Sequence, residues 1–63
     1  MMYLHEFLGP WPPSQEIVLY QHDVRIPIYE GTIGKLKYVD MKHYQVKLVE
    51  YSMNQILIRV ARG

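Results

Sequence analysis

Apolar and polar residues alternate along most of this chain, and that alternation carries its structural reading. From Glu16 onward, Ile17 and Leu19 fall on one side of an extended segment, with Val18 and Tyr20 on the other. That is the period-two signature of a strand. His22-Asp23 is a polar break suited to a turn. Val24, Ile26 and Ile28 then alternate with Arg25, Pro27 and Tyr29, which predicts a second strand. Pro27 has no amide to donate, so this strand belongs at a sheet edge or at a position where its nitrogen faces outward. Gly31 and Gly34 flank Thr32-Ile33 and predict a bulge or bend that ends the strand. Further on, Val46 and Leu48 alternate with Lys47 and Val49, Ser52-Met53-Asn54 makes a turn, and Ile56, Ile58 and Val60 alternate with Leu57, Arg59 and Ala61. Residues 45–51 and 55–60 therefore predict a hairpin.

Two stretches depart from period two. Near the start, Leu4, Phe7 and Leu8 have the spacing of one helical turn. Gly9-Pro10-Trp11-Pro12-Pro13 then stops any helix, because proline lacks the amide donor and restricts the residue before it. Residues 1–15 read as an arm with a stiff proline-rich connector, and residues 16–63 as a β-rich core in a single small domain. Trp11 is expected to fold back and cap one end of that core; the rival reading is a proline-rich recognition ligand for a partner. In residues 35–43, Leu36, Val39 and His43 lie at helical spacing, so one or two helical turns are predicted there, with a third strand as the alternative.

The predicted fold is α+β and mainly β. It is a small antiparallel sheet of about four strands in the order β-β-short α-β-β, preceded by the arm. Ile17, Leu19, Ile26, Ile28, Val46, Leu48, Ile56, Ile58 and Val60 make the expected buried face. Val18, Tyr20, Tyr29, Val49, Tyr51 and Leu57 fall on the other face. A half-buried sheet normally carries polar residues there. This second apolar face must be covered by the arm, by barrel closure or by another chain.

Composition sharpens that need. Chains of 63 residues bury a small core, and stability at this size usually calls on disulfides, metals or a partner subunit. Cysteine is absent, which excludes disulfides and thiolate metal sites. A homodimer is the expected source of extra stability. The six tyrosines fit this, since an apolar ring with a polar tip suits a contact surface. No stretch approaches a membrane span and no signal-peptide pattern is present, so no membrane partner is expected and the cytoplasm is the default compartment. The net charge of +1 is weak support for a nucleic-acid partner.

Catalytic chemistry finds little to work with. His5, His22 and His43 show no ligand spacing, the carboxylates form no close pair, and neither Ser14 nor Ser52 sits in a nucleophile elbow. Gly31-Thr32-Ile33-Gly34-Lys35 lacks the spacing and the following Ser/Thr of a phosphate-binding loop. No enzymatic activity, cofactor or metal is expected. Two surfaces stand out instead. Trp11, Tyr20, Tyr29 and Tyr51 are candidate anchors for a protein partner. Lys35, Lys37 and Lys42, interleaved with Tyr38 and Tyr44, form the alternative, a nucleic-acid surface in which rings stack on bases and lysines meet phosphates.

The segment Tyr29-Glu30-Gly31-Thr32-Ile33-Gly34-Lys35-Leu36, with an extended segment before it and a closing hairpin containing Asn54-Gln55-Ile56-Leu57-Ile58, resembles small accessory proteins of phages and prophages of Gram-positive bacteria. The resemblance covers residues 17–60 and leaves out the Gly-Pro-Trp-Pro-Pro segment. It implies a binding protein that inhibits or modulates a host protein by surface occlusion, with blocking of an anti-phage defence system as one such role. Fold and family by themselves do not fix a function.

Overall fold

The computed structural model describes residues 2–36 and 41–62. The chain runs through α1 (Leu4–Leu8), β1 (Glu16–Gln21), β2 (Pro27–Thr32), a 3-10 turn (Ile33–Lys35), β3 (Tyr44–Ser52) and β4 (Gln55–Arg62). The strands form one four-stranded sheet in the order β2-β1-β4-β3. Both hairpins are antiparallel, β1 with β2 and β3 with β4. The central pair, β1 and β4, runs parallel, so the sheet is mixed rather than antiparallel throughout. β1 is suited to that place: Ile17, Val18 and Leu19 are all buried, a continuous apolar run of the kind central parallel strands carry. Pro27 opens β2, which is an edge strand, as its missing amide requires.

One face of the sheet holds the core. Ile17 and Leu19 lie beside Ile56 and Ile58, and Val60 extends the row. The arm covers them. Leu4 and Leu8 of α1 are buried in the same cluster, and Phe7 and Trp11 pack against it. The amide of Tyr3 is capped by Glu6 Oε1 at 2.9 Å, which starts the turn. Tyr3 bridges to Gln45, and Val46 N donates to Met2 O at 2.9 Å, so the arm also covers the start of the β3 edge. The proline connector is fastened further along, where Gly34 N donates to Pro13 O at 2.9 Å and Ile33 N to Gln15 O at 3.0 Å. A Cβ on Gly34 would lie 3.2 Å from Pro13, so this close approach favours glycine.

Both edge strands carry a register shift, and both overturn part of the expected core. In β3 the ladder shifts between Val46 and Leu48, with Lys47 as the extra residue. Val49 is thereby set opposite Ile58 and packs on the core, while Leu48 sits opposite Arg59 and is 48% exposed. In β2 the shift falls between its pairings with Leu19 and Tyr20. Tyr29, opposite Leu19, packs on the core, whereas Ile28 is exposed and Ile26, which precedes the strand, is 76% exposed. Tyr51 likewise lies opposite Ile56 on the core side. Inserting one residue into a strand flips every later side chain to the other face. Simple alternation therefore assigns Ile28, Leu48, Tyr29, Val49 and Tyr51 to the wrong faces and places Ile26, which lies before β2, in a core it does not join, while β1 and β4, which have no shift between them, keep their faces.

The segment 35–43 is described only in part. Lys35 ends the 3-10 turn, Leu36 is buried in the core, and residues 41–43 form a turn. The helical reading of the stretch between them, Val39 included, lies outside the described residues.

Candidate functional site: an aromatic groove and a polar sheet face

The arm and the β3–β4 turn together build an aromatic row. Phe7 and Trp11 have ring centroids 6.3 Å apart, and Trp11 and Tyr51 6.4 Å apart, both tilted. These are ordinary spacings for favourable ring pairs. Trp11 serves two surfaces at once: part of its ring packs against the core, as the capping reading expects, and part lines an open cleft. The cleft has a volume of about 240 Å³ and is lined by Trp11, Gln15, Tyr51, Met53, Asn54 and others. Tyr51 is 67% exposed. Gln15 ties the walls together, since its Nε2 donates to Glu16 O and to Asn54 O, each at 2.9 Å. The connector is thus held to the hairpin turn where β1 and β4 begin side by side, and the groove is formed before any partner arrives.

Tyr20 is placed elsewhere. It lies on the outer face, opposite the core, with the Arg59 guanidinium 5.0 Å from its ring centroid. A cation at that distance is attracted by the ring face. Arg59 also donates to Val24 O, at 3.4 Å. With His22, Asp23, Val24 and Arg25, Arg59 lines a second open cleft of about 300 Å³. His22 Nε2 is 3.5 Å from Asp23 Oδ1 in an exposed turn. Tyr29 is the fourth candidate anchor, and its ring is used within the fold. It packs on the core, and its hydroxyl donates to Thr32 O.

Comparison with protein-family models, curated proteins and solved structures finds no match.

Of the lysine-rich alternative, Lys37 and Tyr38 lie outside the described residues. Lys35 and Lys42 are exposed. Tyr44 is half-buried against the core, so part of its ring is taken up in packing rather than offered to a base. Among the described residues no group of three histidine, cysteine or acidic side chains is placed to hold a metal. No helix among them is long and apolar enough to cross a membrane.

The outer face, on which simple alternation places Val18, Tyr20 and Leu57 correctly but not the edge-strand residues, is best seen rung by rung. The pairings place Glu30, Val18, Leu57 and Glu50 side by side across the four strands. The next rung carries Pro27, Tyr20, Arg59 and Leu48, and the one on the opposite side carries Thr32, Glu16, Gln55 and Ser52. Val18 is only 4% exposed although it lies outside the core cluster. Glu16 therefore lies on one end rung of this face, Glu30 and Glu50 on the middle rung, and Arg59 on the other end rung.

Proposed function

We propose that this chain is a small binding protein that inhibits or modulates another protein by occluding part of its surface, and that the aromatic groove of Trp11 and Tyr51 is where it binds. The observation that carries this reading is the convergence of Trp11 and Tyr51 at 6.4 Å over an open cleft. A side chain seated in the cleft against the two rings would bury apolar area on both, and rigid aromatic anchors dominate binding energy at interfaces. The resemblance to phage accessory proteins supports a host protein as the target, a component of an anti-phage defence system among the candidates, met in the host cytoplasm. The binding unit is a homodimer, a reading supported by the small core and the uncovered outer face.

The test compares the intact protein with Tyr51→Ala as baits on host lysate, followed by titration of any protein retained. Loss of the ring is expected to weaken binding about thirtyfold or more, the scale of an interface hot spot. A partner held equally well by both baits would refute the groove as the binding surface.

A further inference from the structure

We infer that the cleft at the β1–β2 turn binds a phosphate monoester, held by the guanidinium groups of Arg25 and Arg59. The site does not rest on the aromatic groove. The two clefts share no residue and lie at opposite ends of β1 and β4.

The cleft is built from one turn and one strand. His22, Asp23, Val24 and Arg25 supply the turn side, and Arg59 of β4 supplies the other. The turn is closed by Val24 N, which donates to Gln21 O at 3.0 Å. It is fastened to β4 by His22 N, which donates to Val60 O at 2.7 Å. Asp23 has φ 69°, the left-handed conformation that aspartate adopts more readily than most residues. The volume of about 300 Å³ stands at the lower end of small-molecule sites.

Arg59 is already in place for an anion. Its guanidinium lies 5.0 Å from the Tyr20 ring centroid, and its one hydrogen bond, to Val24 O, is long at 3.4 Å. Most of its five N–H donors are therefore without an acceptor among the described residues. Stacking on a ring restrains the plane of the guanidinium and leaves its edge open to a bidentate oxyanion. Little side-chain freedom remains to be lost when the anion arrives. Arg25 is exposed, and neither arginine has a carboxylate partner among the described residues.

Charge selects the ligand. Two guanidiniums outweigh the single carboxylate of the lining, Asp23, whose Oδ1 lies 3.5 Å from His22 Nε2. A carboxylate ligand has two oxygens and is satisfied by one arginine fork. A phosphate monoester has three terminal oxygens and a charge of about −2, so it can engage both arginines. Asp23 opposes that anion, which makes it a diagnostic position: a binding site for phosphate should improve when its charge is removed.

The experiment titrates the full chain, isotope-labelled, with sodium phosphate at constant ionic strength, following backbone amide and arginine side-chain resonances by NMR. Saturable shifts are expected at residues 22–25 and at Arg59, with a dissociation constant on the order of 1 mM, the scale of a few charge-assisted bonds in an open cleft. Arg25→Gln and Arg59→Gln should each weaken binding about tenfold, and Asp23→Asn should tighten it about threefold. Arg25 and Asp23 are exposed in the turn, so their variants decide the matter even if Arg59→Gln disturbs its strand, which the same spectra report. A phosphoserine peptide and adenosine monophosphate then replace inorganic phosphate. The one that gains affinity over it identifies the carrier, a side chain of a partner protein or a small phosphate ester. Weaker binding of both than of inorganic phosphate would overturn the ester. A response that stays unsaturated well beyond the millimolar range, or that all three substitutions leave unchanged, would overturn the site.

Discussion

Gly31→Ala should be among the most damaging single-atom additions in this protein. Gly31 has φ 155°, a conformation that residues with a Cβ rarely adopt, and Tyr29 folds directly over it. An added Cβ would lie 2.9 Å from the Tyr29 hydroxyl oxygen and 3.2 Å from Cζ. The backbone strain is worth about 1–3 kcal/mol. Pushing the ring away also loses its hydrogen bond to Thr32 O, worth about 0.5–1.5 kcal/mol. The combined cost of about 2–4 kcal/mol compares with about 3–5 kcal/mol that a core of this size supplies. Urea unfolding followed by circular dichroism measures it, and the thermal midpoint should fall by about 10–25 °C. Tyr29→Phe by itself should cost about 1 kcal/mol, through the lost hydrogen bond. The double variant should then cost less than the sum by about 0.5–1.5 kcal/mol, because the bond cannot be lost twice. A Gly31→Ala protein within about 0.5 kcal/mol of the original, or strict additivity with Tyr29→Phe, would refute this account.

Three further outcomes follow from the packing. Val49→Ser should destabilise the chain by at least about 1 kcal/mol more than Leu48→Ser, measured at concentrations too low for self-association; the reverse order would mean that β3 has no bulge at Lys47. Leu4→Ala, at a fully buried position, should cost about 2–5 kcal/mol and release the arm, seen as a red shift of Trp11 fluorescence at urea concentrations that leave the original protein native. Met53→Gly should raise the thermal midpoint by about 2–6 °C, since Met53 has φ 53° and is 101% exposed, so glycine relieves the backbone without removing a contact.

The Tyr-Glu-Gly segment shows how a short motif can be legible without its reason being so. Sequence marks it as the end of a strand, and the strand does give way to the 3-10 turn after Thr32. The reason is a ring folded back over a glycine two residues on, with its hydroxyl on the carbonyl of Thr32, the residue after that glycine, which no spacing rule supplies. The candidate anchors divide in the same way. Their type is readable from composition, but Trp11 and Tyr51 meet only because a connector and a hairpin turn 39 residues apart are joined by Gln15.

What local pattern determined by itself is the set of elements: an arm with a helical turn, two hairpins, an edge strand at Pro27, and the inward faces of β1 and β4. These follow from propensity, periodicity and missing donors, all of which act within a few residues. Tertiary structure decided the parallel pairing of Ile17 with Ile56 and its neighbours, the two register shifts, and hence which residues of both edge strands face water. Those choices depend on how twisted strands from distant parts of the chain fit against a shared core, and an extra residue inverts a strand's faces without altering its composition. The make-up of the outer face is of the second kind: Glu30, Glu50 and Arg59 are ordinary surface charges along the chain, and only the strand order and register make one surface of them.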